Sequence, residues 1–175
     1  MNEVISRKEH ATLVLIDMQE HYVAARHPRV VAQVVSLLTI ARARGWNVVV
    51  IKTVDSKDWE GSEPVSNLVA AVARELERGI VYSTGFKVYQ SGWHEIANQC
   101  KQNGFSTEYI IVCGVHAALC VLDTVRDYAE RVPIARIDVV KEACDDPGVS
   151  QWASFERISQ VRLVECAERY LTDAA

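Results

Sequence analysis

The stretch VCGVHAALCVLDTV, residues 112–125, contains two cysteines and a histidine in an otherwise apolar run. Cys120 follows a short apolar segment and precedes one with helical periodicity, which places it near the first turn of a helix. Unpaired backbone N–H groups and the helix dipole favour a thiolate there, and the same N–H groups can bind an oxyanion. From position alone, a small buried hydrophobic residue is an equally good interpretation. Cys113 falls inside the apolar segment and is interpreted as a core residue.

Two charged residues could complete a reactive group around Cys120. Asp17 ends the apolar run ATLVLID, where a carboxylate is costly to bury unless it is paired or functional. Near a thiol, Asp17 could accept the thiol proton as a general base. Lys87 lies in STGFKVYQSGW, where a solvated loop lysine is the ordinary interpretation. Beside Asp17 and Cys120 it would stabilise a carboxylate, a thiolate and an oxyanion.

Several further residues are candidates for binding a substrate. Aromatic residues surround Lys87 in sequence and could wall a pocket for a flat molecule or pack beneath a loop; they are Phe86, Tyr89 and Trp93. Trp59 could line the pocket mouth, form a subunit contact or pack in the ordinary way. Gln19 could orient groups at the site or cap the next segment. We select Gln19, Tyr89, Trp93 and Trp59 as substrate-binding candidates. His116 precedes the helix of Cys120 and is interpreted as a structural histidine in the turn.

Apolar segments with strand and helix periodicity alternate along the chain. The predicted strands cover 11–17, 46–54, 80–84, 108–115 and 134–140, with a sixth, edge strand at 161–165. The predicted helices cover 27–45, 62–79, 91–104, 119–132 and a segment around 149–159, the last of them after a polar loop at 141–148.

This alternation predicts an α/β fold, a single-domain (1–175) doubly wound Rossmann-like parallel sheet with helices on both faces. About six strands in the common order 3-2-1-4-5-6 place ligands where strand order reverses, between strands one and four. The carboxyl ends of those two strands are Asp17 and the GVHAALC turn. The fold therefore brings the candidate carboxylate and the candidate thiol to the same edge of the sheet.

Composition narrows the classes of function. The 175-residue chain carries a net charge of −4, which argues against binding nucleic acid or an anionic membrane. Residues 1–10 are polar, so we predict no signal peptide or membrane span. Five cysteines without a CxxC pair favour a reducing, cytoplasmic setting. No Cys/His set has zinc spacing, and the GxGxxG, P-loop and GxSxG motifs are missing, so we expect no metal, no cofactor and no serine nucleophile.

Three motifs together resemble the isochorismatase-like cysteine hydrolase family. That family has an apolar strand ending in D-x-Q, a lysine four residues before a Ser-Ala/Gly-aromatic step, and G-V-x-T-x-x-C-V-x-x-T. LVLIDMQ, FKVYQSGW and VCGVHAALCVLDTV match these patterns in the same order. The resemblance covers residues 11–143 and agrees with the predicted strands.

The resemblance implies a catalytic triad of Asp17, Lys87 and Cys120. Asp17 would activate the thiol, Cys120 would attack a carbonyl carbon, and Lys87 would support the charges. It also implies a cis peptide between Val115 and His116, which directs the backbone N–H groups of His116 and Cys120 at an oxyanion. Family members are commonly dimers or tetramers, so we expect a homo-oligomer acting on a small molecule.

Two departures from the family pattern refine the expected reaction. Ala117 stands where the family usually has threonine. The metal motif of family nicotinamidases, Asp-x-His after the second strand, is replaced by Asp55 and Asp58 without a histidine, which argues against nicotinamidase activity. We expect hydrolysis of a C–N bond in a small amide or carbamoyl substrate through a Cys120 thioester. The alternatives are vinyl-ether hydrolysis with Asp17 as acid, and a catalytically silent metabolite-binding protein.

Overall fold

A computed structural model of the chain describes residues 10–54, 66–145 and 152–172. In these ranges six parallel strands form one sheet in the order β3-β2-β1-β4-β5-β6. Their bounds are β1 Thr12–Ile16, β2 Asn47–Thr53, β3 Tyr82–Lys87, β4 Tyr109–Val115, β5 Arg136–Asp145 and β6 Val161–Val164. All of β1 is buried because it lies at the centre of the sheet. The predicted doubly wound fold and strand order are confirmed.

The helices pack on both faces of this sheet, and the direction of each strand-to-strand connection determines which face its helix covers. Their bounds are α1 Pro28–Arg44, α2 Ala70–Leu76, α3 Trp93–Asn103, α4 Leu122–Arg131, α5 Trp152–Glu156 and α6 Arg169–Thr172. The connections through α1 and α2 run toward one edge of the sheet, and those through α3 and α4 run the opposite way. Right-handed crossovers therefore place the two pairs on opposite faces. The contacts agree, since α1 packs against α2 and α3 against α4.

Several predicted boundaries near the site differ from the observed ones. β3 continues to Lys87, so this lysine ends a strand instead of lying in a loop. β5 continues through Asp145 into the predicted polar loop, because Gly114 and Val115 of β4 still pair with it beyond an irregularity in the register. The helix predicted from residue 119 begins as a π-helical turn, Ala117–Val121, that leads into α4.

The helix predicted over 62–79 is shorter than expected. Residues 62–65 lie outside the described residues, and α2 starts only at Ala70. The Asn67 carbonyl accepts the Glu20 N–H at 2.9 Å, and the Val69 N–H donates to the Met18 carbonyl at 3.0 Å. Met18 and Glu20, in the segment after β1, thus hydrogen-bond to backbone groups of residues 67–69, which keeps these residues out of the helix.

Two differences concern the carboxyl-terminal part of the chain. The helix predicted around 149–159 spans only Trp152–Glu156 where the structure describes it, and α6 was not predicted. No helix in the described part of the chain combines the length and apolarity that crossing a bilayer requires.

Candidate active site

Asp17 lies directly after β1, at the carboxyl end of the sheet. Its φ of 52° is left-handed, a conformation that aspartate tolerates better than most residues. This bend follows the last paired residue of β1, and the Asp17 N–H still donates to the Ile51 carbonyl at 3.0 Å. The side chain is 1% exposed, so its carboxylate needs partners inside the protein.

Lys87 provides the charge that Asp17 requires. Its Nζ lies 2.8 Å from Asp17 Oδ2, and both side chains are almost fully buried. The ammonium also donates to the Tyr89 carbonyl at 3.2 Å. Because the pair is removed from solvent, its attraction is screened much less than that of a surface ion pair.

The stem of Lys87 packs beside Gly92, in the Ser-Gly-Trp step that follows it. A Cβ atom at Gly92 would lie 3.4 Å from Lys87 Cδ and 3.0 Å from Ile51 Cγ2. The Gly92 N–H donates to the Thr124 hydroxyl at 2.8 Å. Thr124 of α4 therefore holds the β3–α3 connection against the lysine, which gives a structural reason for the threonine at the end of the third motif.

Cys120 lies in the π-helical turn after β4 and is partly buried. Burial raises the pKa of its thiol, the Lys87 charge lowers that pKa, and the Asp17 charge and hydrogen bond raise it. The thiol also hydrogen-bonds with the Lys87 side chain. The net effect is a pKa above the ordinary value, so the resting thiol keeps its proton and needs a base to become a nucleophile.

The turn between β4 and Cys120 brings its backbone close to Asp17. Gly114 has a φ of 128°, and a Cβ atom there would collide with the carbonyl oxygen of Ile16, so only glycine fits. The Val115–His116 peptide bond is cis. The His116 carbonyl accepts the N–H groups of Leu119 and Val121 at 3.1 Å each, which closes the turn.

Two residues at this site were missed by the sequence reasoning. The Thr53 hydroxyl donates to Asp17 Oδ1 at 2.8 Å. The Tyr22 hydroxyl hydrogen-bonds with the Thr53 side chain, and the charges of Asp17, Lys87 and Cys120 all act on it. Thr53 could have been found, because the last residue of β2 must lie next to the end of β1 in a parallel sheet.

Gln19 directs its side-chain amide to backbone groups beside the site. It is fully buried, and its amide oxygen accepts the Thr53 N–H at 2.7 Å. Its amide nitrogen donates to the carbonyls of Thr53 and Ser66 at 3.1 and 3.0 Å. These bonds occupy the amide and fix the end of β2 beside Asp17, as expected for a residue that orients groups at the site, and substrate binding by Gln19 stays a prediction.

The aromatic candidates lie in different surroundings. The Tyr89 side chain is 82% exposed, and Phe86 is 43% exposed. The Trp93 ring lies 5.4 Å from the Arg131 guanidinium, on the side of α4. Trp59 lies outside the described residues. Substrate binding by Tyr89, Trp93 and Trp59 therefore stays a prediction.

Comparison with known families agrees with this arrangement. The model of the Isochorismatase domain matches residues 11–165. The chain belongs to the Isochorismatase family. It is therefore a hydrolase with Asp17, Lys87 and Cys120 grouped at the point of the sheet where strand order reverses. The described residues contain no group of three or more His, Cys, Asp or Glu side chains that could hold a metal ion.

Solved structures with this Isochorismatase fold carry different activities. N-carbamoylsarcosine amidase from Thermoplasma acidophilum is 19% identical with a TM-score of 0.72, covering 90% of this chain and 96% of its own. Nicotinamidase from Bacillus subtilis is 16% identical with a TM-score of 0.72, covering 89% and 99%. The MAR1 ribonuclease from Caenorhabditis elegans is 17% identical with a TM-score of 0.70, covering 93% and 80%. No curated protein sequence matches the chain. At these identities the likeness shows the fold alone.

Proposed function

We propose that the protein hydrolyses a C–N bond in a small amide or carbamoyl substrate through a thioester on Cys120. The observation that carries this proposal is the buried ion pair of Asp17 and Lys87 at 2.8 Å, with both side chains hydrogen-bonded to a protonated thiol. A carboxylate, an ammonium and a thiol in contact are the parts that nucleophilic attack by sulfur requires.

The first step is transfer of the thiol proton to Asp17. The Asp17 carboxylate, which Thr53 contacts at Oδ1 and Lys87 at Oδ2, accepts the proton on a remaining lone pair as Sγ bonds to the carbonyl carbon. The carbonyl oxygen gains negative charge, and the backbone N–H groups of His116 and Cys120 bind it as an oxyanion hole. Lys87 stabilises the carboxylate before transfer and the negative charge at the reacting centre during it.

The C–N bond then breaks, and the leaving nitrogen takes the proton from Asp17. Water attacks the Cys120 thioester with Asp17 again acting as base, which releases the acid and restores the thiol. Each turnover uses one water and returns every group of the enzyme to its starting protonation state. The thiol in this mechanism favours an amide over a vinyl ether, whose hydrolysis needs only a proton donor.

A substrate panel with mass detection tests the nucleophile. The protein is incubated with primary amides and N-carbamoyl amino acids, and intact mass spectrometry is used to find an acyl adduct that maps to Cys120. We expect Cys120→Ala to lose the adduct and to lower turnover by about 10⁴-fold or more. Cys166→Ala, which changes a cysteine outside the site, should keep full activity.

The same experiment separates the alternatives. Full activity of Cys120→Ala on a substrate of the wild-type protein would contradict the thioester mechanism. Hydrolysis of a vinyl ether that survives alkylation of Cys120 would favour Asp17 acting as an acid. The absence of turnover and of any adduct across the panel would favour a metabolite-binding protein.

We also propose a cytoplasmic homo-oligomer, a dimer or tetramer. All five cysteines are unpaired, which fits a reducing compartment, and the family resemblance supports assembly. Light scattering of the purified protein tests assembly, and a monomer mass at all accessible concentrations would contradict it. Fractionation of the native cells tests the compartment.

A further inference from the structure

The plane of the Asp17 carboxylate is not fixed by the aspartate itself. Rotation about the Cβ–Cγ bond of an aspartate is soft, and the side chain is 1% exposed, so water does not hold it in place. Its two oxygens have separate partners instead. The Thr53 hydroxyl donates to Oδ1 at 2.8 Å, and Lys87 Nζ lies 2.8 Å from Oδ2. These two contacts together define how the carboxylate is turned.

Thr53 ends β2, the strand that lies between the two charged residues. Its Cα pairs in register with that of Lys87 on β3, which puts both side chains on the same face of the sheet. On the other side of β2, the Asp17 N–H donates to the Ile51 carbonyl, two residues before Thr53. The lysine therefore crosses the position of Thr53 to reach the carboxylate, and the hydroxyl meets the same carboxylate from β2.

The amide of Gln19 holds the backbone of Thr53 on both sides. Gln19 Oε1 accepts the Thr53 N–H at 2.7 Å, and Nε2 donates to the Thr53 carbonyl at 3.1 Å. Gln19 is itself fully buried, and a β-branched side chain such as threonine has few χ1 rotamers. The hydroxyl of Thr53 is thus carried by a fixed strand end and has little freedom to move away from Asp17.

We propose that Thr53 is a positioning residue whose hydroxyl, by holding Oδ1, fixes the rotation of the Asp17 carboxylate so that a lone pair stays available for the Cys120 proton. A carboxylate has about four lone-pair sites and can accept from one cation with both oxygens. Without the Thr53 donor, both oxygens compete for the Lys87 ammonium, and the carboxylate turns away from the thiol. This inference rests on the proposed function, because it concerns the base of that reaction.

Thr53→Val tests the role in turnover, because it removes the hydroxyl and keeps the β-branched shape. On the amide with the highest kcat/KM in the panel, we expect kcat to fall by about 10-fold or more, as for a lost hydrogen bond to a charged group, and KM to change by less than about 2-fold. Thr53→Ser restores the donor and should keep kcat within about 3-fold of the wild-type value.

Thr12→Val is the matched control. Thr12, the first residue of β1, also donates a hydrogen bond of 2.8 Å, in this case to the Ser106 carbonyl. It lies at the opposite end of the sheet from Asp17, so its loss should leave kcat per folded molecule unchanged.

Alkylation of Cys120 by iodoacetamide tests the contact without a substrate. A hydroxyl that donates to a carboxylate offsets part of its negative charge, so removing it should strengthen the effect of Asp17 on the thiol. We expect the midpoint of the rate against pH to move up by about 0.5 pH unit in Thr53→Val and to stay in place in Thr53→Ser and Thr12→Val. A merely structural role of Thr53 would lower stability in urea and leave this midpoint where it is.

The outcomes against the proposal are distinct. An unchanged kcat or an unchanged midpoint in Thr53→Val would overturn it, and so would a loss in Thr53→Ser as large as that in Thr53→Val. A raised KM with kcat unchanged would make Thr53 a substrate-binding residue instead. Full activity of Cys120→Ala would refute the thioester mechanism, whereas the alkylation midpoints would still decide whether Thr53 acts on Asp17.

Discussion

The Cys120 thiol is held close to the Asp17 carboxylate without being ionised in advance. Lys87 alone would favour a thiolate, but burial and the neighbouring Asp17 carboxylate outweigh it, so the pKa of the thiol is raised. This differs from sites in which a cationic partner keeps a cysteine permanently ionised. In the proposed mechanism this arrangement couples ionisation to substrate attack, because the proton leaves only when Asp17 accepts it.

The pH dependence of Cys120 alkylation measures the pKa of the thiol, and therefore how the effects of burial, Asp17 and Lys87 combine. The rate with iodoacetamide, followed by peptide mass spectrometry, should rise with pH and reach its midpoint above about 8.5, the ordinary value for cysteine. Asp17→Asn should move the midpoint down by about one unit, because it removes a negative charge, and Lys87→Gln should move it up by about as much. A wild-type midpoint below about 8.5 would show a resting thiolate–ammonium pair, and shifts of the same sign in both variants would contradict the opposing effects of Asp17 and Lys87.

At the same scale, residue type and spacing were enough to predict some members of the site. Asp17 and Cys120 could be found because a carboxylate and a thiol stand out beside apolar strand ends, whereas Lys87 was selected through its place in the motif that resembles the family pattern. Thr53 could have been placed beside Asp17 from the strand order alone, because both residues end neighbouring parallel strands. Tyr22 could not be selected, since a tyrosine in a loop is common and only the three-dimensional arrangement brings it to the site.

At the scale of elements, a buried carboxylate ties the last part of the chain to the sheet. Asp138 of β5 is fully buried and accepts hydrogen bonds from Tyr109, Tyr170 and Arg162 at 2.8, 2.9 and 2.6–2.9 Å. Through these bonds β6 and α6 are held to β5. Asp138 lies near the amino end of its strand, at the opposite end of the sheet from Asp17.

Replacing this carboxylate should lower stability without changing the chemistry. We expect Asp138→Ala to reduce the free energy of unfolding by about 3 kcal/mol, because it removes the buried carboxylate that pairs with half-exposed Arg162 and that accepts from the hydroxyls of buried Tyr170 and partly buried Tyr109. Urea unfolding measures the loss, and kcat per folded molecule should stay the same.

Glu165→Ala is the matched control for Asp138→Ala. Glu165 pairs with Lys141 at 2.8 Å but is 61% exposed, so its loss should cost less than about 1 kcal/mol. A similar small cost for Asp138→Ala would show that the buried network contributes little.

The order of the strands was predictable because alternating periodicity and right-handed connections leave few topologies. Element ends were less predictable where distant backbone groups compete for hydrogen bonds. The start of α2 is displaced by bonds from Met18 and Glu20, and β5 is lengthened by pairing with the end of β4. Neither partner lies in the local sequence window from which a boundary is predicted.

At the scale of the whole molecule, the buried thiols link stability to alkaline pH. Burial raises the pKa of Cys100 to about 11 and that of Cys144 to about 12, and it raises the pKa of Cys113 well above its ordinary value. In the unfolded chain each thiol ionises near about 8.5. Between these values the folded state binds more protons than the unfolded state, so stability falls as pH rises.

The free energy of unfolding should therefore be constant near neutral pH and should decrease between about pH 8.5 and 10. Three thiols together can contribute a slope of at most about 4 kcal/mol per pH unit, since each contributes at most about 1.4. Urea unfolding under reducing conditions measures this slope. Cys100→Ala and Cys144→Ala should each reduce it by about a third, because each removes one proton whose binding favours the folded state. A slope unchanged in both variants would show that these thiols ionise at the same pH in the folded and unfolded chain.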